Sequence, residues 1–313
     1  TFKRIELLEK AVVSAIKQDT TINYEIIIVD NDQSKKSLYL IKKICDKFPN
    51  AQIMLYQQSE NIGLAGNWNS CLRLGTSKWM TILSDDDLLK PNWLSLMWKV
   101  KNYLKDPILI GCNLEFNEKK YSQYDFFKNV ITFYENTIYP NIKIRNLSVL
   151  DYFIEMPHQG VLGAIFDRNK LIDCGGFDQN CTATDYKLLC KVATLKKSYL
   201  IKNKLAIYFR TGENTSADPE WVYKVLEENL QIQKELIPQL PAQYKFLYRL
   251  YIKLFLTRSL SGNRKHFRLN TKIKDFISSN NLNFNFNKLS YFSLKMILQI
   301  LARIHKVKVS NAL

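Results

Sequence analysis

Trp79-Met80-Thr81-Ile82-Leu83-Ser84-Asp85-Asp86-Asp87 is a short apolar run that ends in three adjacent carboxylates, and Pro91 follows at the start of a helical pattern. An apolar run of this length suits a buried strand. Side-by-side carboxylates repel, and each raises its neighbour's pKa. The stack becomes favourable when a divalent cation lies against it. Hard cations such as Mg2+ or Mn2+ take one or two carboxylates together with phosphate oxygens. The plainer reading is an acidic turn, or a helix N-terminus that favours negative charge.

Upstream, Tyr24-Glu25-Ile26-Ile27-Ile28-Val29 is a nearly continuous apolar run that ends at Asp30. Such runs suit strands buried on both faces. Leu7, Leu8, Ala11, Val12 and Ile16 have helical spacing, which predicts a helix over residues 6–17. Similar patterns predict helices over 34–48, 64–74 and 91–104, and residues 51–56 read as a strand. Strand and helix alternate, the signature of an α/β fold with a mostly parallel, Rossmann-like central sheet flanked by helices. In such sheets ligands bind beyond the carboxyl ends of the strands. Asp30 and the trio Asp85, Asp86 and Asp87 both fall at such ends.

Downstream, 161–166 and 199–209 read as strands, Gly175-Gly176-Phe177-Asp178 as a turn, and 185–195 as a helix. Beyond Asp218 the patterning is helical only. The expected organisation is a catalytic domain over residues 1–216 and a helical, basic C-terminal region over 217–313.

With 313 residues and 46% hydrophobic content, the chain is an ordinary globular protein. The formal charge is +16. Residues 233–313 hold fifteen Lys and Arg against two acids, Glu235 and Asp275, which is +13 and leaves +3 for the rest. The six cysteines lack paired metal-ligand spacing and the three histidines are His158, His266 and His305, which argues against a structural zinc site. Scattered thiols fit a reducing, cytoplasmic compartment. The most apolar tail segment, 291–304, contains Lys295 and Arg303, too polar and short to span a bilayer. Basic helices carrying aromatics instead suit peripheral contact with the inner face of the cell membrane.

Five elements resemble those of family 2 glycosyltransferases, in family order. Thr1-Phe2-Lys3-Arg4 resembles their Thr-Tyr-Asn-Arg element, and Ile27-Ile28-Val29-Asp30-Asn31-Asp32 their Val-Asp-Asp-Gly-Ser element. The stretch from Asn61 through Gly63, Gly66 and Asn67 to Asn69 resembles their Asn-x-Gly…Arg-Asn element. Ser84 to Asp87 is similar to their Asp-x-Asp motif, and Gly175-Gly176-Phe177-Asp178 with Thr184-Asp185 resembles Gly-Gly-Phe-Asp…Glu-Asp.

The resemblance implies a GT-A fold, a UDP-sugar donor, Mn2+ or Mg2+, and inversion at the anomeric carbon. It also implies a strand ahead of Thr1, so the natural protein is expected to begin earlier. Thr1, Phe2, Arg4, Asn61 and Asn67 fall in donor-binding elements. Asp30 is where the family meets the uracil ring. Asp85 would approach ribose or metal, Asp87 would bind metal, and Asp86 could point either way. Asp185 matches the general base, which takes the proton of the acceptor hydroxyl; its bland reading is a helix N-cap. Asn67 stands where the family often has Arg, and Arg210 could supply that charge beside the diphosphate. The family's usual His two residues on is Gly212 here. A lone His158 is more often structural than a ligand, and Gly63 and Gly66 suit turns and close packing.

The leading expectation is a metal-dependent, inverting glycosyltransferase that adds a sugar to a saccharide acceptor, lipid-linked, in surface-polysaccharide assembly. The alternatives are a nucleotidyltransferase, which needs a phosphate loop not seen in residues 1–17, and a nucleic-acid-binding protein using the basic tail.

Overall fold

The computed structural model describes residues 1–117, 142, 144–158, 160–209, 219–262, 271–282 and 287–310. The chain divides into two compact units. One comprises Thr1–Asn146, His158–Gln179 and Lys197–Thr211; the other comprises Leu147–Pro157, Asn180–Lys196 and Gly212–Leu313. The expected boundary between residues 216 and 217 lies outside the described residues.

The first unit begins with α1 (Ile5–Ile16), β1 (Ile26–Asp30), α2 (Lys36–Lys47), β2 (Ile53–Gln57) and α3 (Gly63–Leu74). β1 and β2 pair in parallel, with Ile26 opposite Ile53. Leu8 and Val12 of α1 and Ile41 and Ile44 of α2 pack on Ile28 of β1. Burying each such side chain contributes roughly 1.5–3 kcal/mol before chain entropy is subtracted. This core holds the carboxyl end of β1 in place.

β3 (Trp79–Met80), β4 (Leu88–Leu89), α4 (Trp93–Tyr103), β5 (Leu109–Asn117), β6 (Ile144–Leu147), β7 (Ile165–Asp167), α6 (Arg168–Asp173) and β8 (Ser198–Phe209) complete the described elements of this unit. Their sheet runs β3-β7-β5-β8-β4, with β6 beside β8. β5 and β8 are parallel, whereas β3–β7, β5–β7 and β4–β8 are antiparallel. The α/β expectation therefore holds with a mixed sheet. Two of the antiparallel pairings come from β7, which inserts between β3 and β5, and the third from β4 against β8. Sequence periodicity carries no information about such an insertion.

Trp93, Leu96, Met97 and Val100 of α4 pack on Ile110, Cys112 and Leu114 of β5 and Ile201, Leu205 and Ala206 of β8. The Trp93 indole N–H donates to the Gly163 carbonyl at 3.0 Å. Gly163 has φ +69, and a Cβ there would lie 2.7 Å from Cys112 Sγ, so only glycine fits. All six cysteines are free thiols.

The second unit contains α5 (Val149–Ile154), α7 (Thr184–Thr194), α8 (Pro219–Leu236), α9 (Lys245–Gly262), α10 (Thr271–Ser279) and α11 (Lys288–Ser310). The helical C-terminal region read from the sequence is present. Its core gathers around the end of α5. A helix leaves its last four carbonyls without internal partners. Here three successive carbonyls are met from three other helices. Tyr186 Oη donates to Tyr152 O at 2.9 Å, Gln233 Nε2 to Phe153 O at 3.0 Å, and Tyr251 Oη to Ile154 O at 2.5 Å. Among the described residues no helix is long and apolar enough to cross a membrane.

Candidate active site

In the first unit, the N-terminal segment lies along the edge of β1 opposite β2. The Thr1 nitrogen donates to Val29 O at 2.7 Å, and Asn31 N donates to Thr1 O at 2.9 Å. This sets Thr1 and Arg4 against the acidic trio. Thr1 Oγ1 donates to Asp85 Oδ2 at 2.5 Å, and Phe2 N reaches the same oxygen at 3.3 Å. Arg4 Nη1 meets Asp86 Oδ2 at 2.9 Å and Asp85 Oδ1 at 3.4 Å. The trio occupies a turn closed by Asp87 N donating to Ser84 O at 3.2 Å.

Asp87 turns the other way. It is buried, and its Oδ1 accepts the Phe209 N–H of β8 at 3.2 Å. Burial, reinforced by the neighbouring Asp86 and Asp85 charges, pushes its carboxyl up to about 8. Asp86 is also raised, first by burial and then by Asp85, against the pull of Arg4. The Arg4 guanidinium thus meets two of the three carboxylates, Asp85 and Asp86. That local excess of negative charge, made of hard oxygen donors, fits a divalent cation. Among the described residues no group of three or more His, Cys, Asp or Glu side chains is placed to hold a metal ion by itself. A cation here would therefore take further ligands from substrate phosphates and water.

At the end of β1, Asp30 is 1% exposed, and both its oxygens are engaged within the chain. Oδ1 accepts from Asp32 N at 2.9 Å, and Oδ2 accepts from the Ser37 hydroxyl. In this arrangement Asp30 latches the loop that leads into α2. Two neighbouring amides behave differently. Asn31 Nδ2 donates to Gly63 O at 3.1 Å and Asn67 Nδ2 to Val29 O at 2.9 Å, while the Oδ1 atoms of both are buried without a hydrogen-bond partner. A buried acceptor left unmet is costly. Asn61 Oδ1 accepts from Gly63 N at 3.0 Å and shapes the turn into α3, where Gly63 has φ +74.

His158 is buried; its Nδ1 pairs with Gly160 O at 2.9 Å, and burial lowers its pKa to about 4. A Cβ on Gly111 would come within 2.9 Å of the imidazole, so the ring fills space beside β5. These contacts give it a packing role.

The Gly-Gly-Phe-Asp turn is bound to α3. Asn69 Nδ2 donates to Phe177 O at 2.7 Å, and Phe177 N donates back to Asn69 Oδ1 at 2.8 Å. The Trp68 and Phe177 rings lie 5.0 Å apart. Sequence reading missed this pair because nothing local marks contacts between residues so distant along the chain.

In the second unit, Asp185 lies in the first turn of α7. The N-cap position is Ala183, so Asp185 is not the cap. Its Oδ1 accepts from Tyr186 N at 2.8 Å, and burial raises its carboxyl above the usual range. Glu228 of α8 anchors this helix start, its Oε2 accepting from Ala183 N at 2.7 Å and from Cys181 Sγ at 3.5 Å. A single Glu on an amphipathic helix gives no signal of that role in the sequence. Arg210 lies outside the described residues.

The family described as glycosyl transferase family 2 matches residues 1–167. An uncharacterized glycosyltransferase of Mycoplasma pneumoniae, the MG060 homolog, is 24% identical over 92% of this chain and 88% of its own length. The chain spans a smaller part of two others. MG060 of Mycoplasma genitalium is 26% identical over 32% of this chain and 34% of itself. The minor teichoic acid biosynthesis protein GgaB of Bacillus subtilis is 23% identical over 67% of this chain and 22% of itself. Among solved structures, S. aureus TarS 1-349 in complex with UDP has a TM-score of 0.62 at 14% identity, covering 89% of this chain and 75% of that one. The mannosyltransferase PcManGT from Pyrobaculum calidifontis, in complex with GDP-Man and Mn2+, has a TM-score of 0.57 at 17% identity, covering 98% and 85%. At these identities the two structures establish a shared GT-A fold.

Proposed function

Because the chain belongs to glycosyl transferase family 2 and is a glycosyltransferase, we propose that it moves a sugar, with inversion, from a UDP-sugar to a hydroxyl of a lipid-linked saccharide. The acceptor oxygen attacks the anomeric carbon as the bond to the β-phosphate oxygen breaks. The electron pair departs with UDP, and the hydroxyl proton passes to Asp185. Burial makes the Asp185 carboxylate a stronger base than an exposed one.

The observation that carries this reading is the acidic trio, with Asp87 buried among like charges and its carboxyl raised to about 8. Asp85 and Asp87 would hold Mn2+ or Mg2+. When bound, the cation supplies charge neutralisation for the diphosphate leaving group. Thr1, Phe2 and Arg4 position Asp85 and Asp86 through the hydrogen bonds described. The base end of the donor lies at the carboxyl end of β1, beside Asp30. Asn61 shapes the adjoining turn, and Arg210 is assigned to the diphosphate. The complex of TarS with UDP and that of PcManGT with Mn2+ support the donor and metal classes. GgaB, named for teichoic acid biosynthesis, supports a surface-polymer acceptor. A lipid-linked acceptor places the enzyme at the inner face of the membrane, contacted through the C-terminal helices.

Calorimetric titration of UDP with and without Mn2+ tests this reading. Expected is UDP binding that depends on Mn2+ and is lost in Asp87→Asn. Metal-independent binding that the substitution leaves unchanged would overturn it.

A further inference from the structure

A helix packed on a soluble core needs one apolar face. α9 has two over its first turns. Tyr248, Tyr251 and Ile252 are buried, with Phe153 against Tyr248 and Tyr291 against Tyr251. On the other side Lys245, Phe246, Arg249, Leu250 and Lys253 are all exposed. Their spacing of one, four, five and eight residues from Lys245 sets cations and apolar groups in one band, in which Phe246 is 75% exposed.

α11 repeats the arrangement. Tyr291, Leu294, Leu298 and Ala302 are buried, whereas Leu289, Phe292, Met296, Ile297 and Ile300 form an exposed apolar stripe, with Leu289 78% exposed. The two helices lie side by side. Tyr251 stacks on Tyr291 with ring centroids 5.7 Å apart, and Arg258 Nη1 donates to Tyr291 Oη at 2.9 Å. Their inner faces are therefore committed to the fold, and the outer bands are surplus to it.

We propose that these outer bands dock on an anionic lipid bilayer. Aromatic and aliphatic side chains enter the interfacial region, while Lys and Arg stems extend toward acidic headgroups. Two observations favour lipid over a protein occupant. Residues 233–313 carry +13, which complements an acidic surface and sets two copies of this chain against each other. The α9 band interleaves lysine with apolar groups, whereas the cores of protein interfaces are depleted in lysine. This inference deepens the membrane contact proposed above and makes no use of the donor site.

The test is co-sedimentation of the full chain with phosphatidylcholine vesicles, with and without phosphatidylglycerol. Binding is expected only to the anionic vesicles and is expected to weaken as salt rises. The quadruple variant F246S/L250S/F292S/M296S should lower partitioning at least about ten-fold. Lys245→Gln, Arg249→Gln and Lys253→Gln should each lower it roughly five-fold. Melting temperature and Mn2+-dependent UDP binding should stay at the wild-type level in all of them, which separates this idea from the catalytic reading. Wild-type protein left in the supernatant at low salt would overturn the proposal. So would a quadruple variant that sediments fully, or a dimer in light scattering that the same substitutions dissolve.

Discussion

Asn69 and Phe177, 108 residues apart, hold each other by two backbone-directed hydrogen bonds of 2.7 and 2.8 Å. One side-chain amide thus satisfies both the N–H and the C=O of a residue that β pairing would otherwise have to serve. The clamp joins α3 to the Gly-Gly-Phe-Asp turn. Phe177 is buried, so neither of its backbone groups has water to fall back on.

Asn69→Ala should cost about 3 kcal/mol, since two buried backbone groups lose their partner. Gly176→Ala should cost about 1–3 kcal/mol, because Gly176 has φ +65 and a Cβ would lie 2.6 Å from Asn69 Oδ1. The clash vanishes in the double variant, so the two losses should sum to more than the loss measured together. Urea unfolding midpoints give all three values; strict additivity would contradict the contact.

Asp185→Asn should lower kcat by about 10²–10⁴-fold while Mn2+-dependent UDP affinity stays within two-fold, roughly the signature of a lost general base. Glu228→Ala should lower kcat by a smaller factor, about ten-fold, by loosening the Ala183 end of α7. Steady-state kinetics beside UDP calorimetry separates the two. Equal loss of UDP affinity in both variants would assign Asp185 to donor binding instead.

Metal removal should act through the trio. With EDTA present the protein should lose UDP-dependent thermal stabilisation, and Mn2+ should restore it. In Arg4→Ala the trio loses the guanidinium that partly offsets it, so the apo protein should melt lower and regain more on adding Mn2+. Differential scanning fluorimetry reads both shifts. A variant that melts like wild type without metal would show that Arg4 does not balance these charges.

Stability should also record His158. Its folded pKa of about 4 lies below the ordinary 6.5 because burial disfavours the imidazolium. Between those values the unfolded chain binds more protons than the folded one. The stabilisation is therefore complete above pH 6.5 and is lost as pH falls through about 4, with a total near 3 kcal/mol. His158→Gln should remove that slope from urea midpoints measured against pH. A variant with an undiminished slope would place the titration elsewhere.

Much of this was legible in the sequence. Helical spacing located α1, α2, α3, α4 and α7 to within a residue or two, because each buries one continuous apolar stripe. The carboxylates at the ends of apolar runs stood out because charge beside a buried strand is rarely neutral in its consequences. What stayed hidden depends on contacts across the chain. The antiparallel insertion of β7, the Phe209 amide on Asp87, and the Glu228 anchor each join segments whose local patterns are unremarkable. Asp30 illustrates the point: position marked it for the ligand, while its surroundings occupy both its oxygens.

That occupancy bears on any effort to re-engineer which nucleotide this protein accepts. Replacing Asp30 would release Asp32 and Ser37 together and unfasten a loop, and the damage would masquerade as altered selectivity. Libraries aimed at a new donor should therefore hold that aspartate constant.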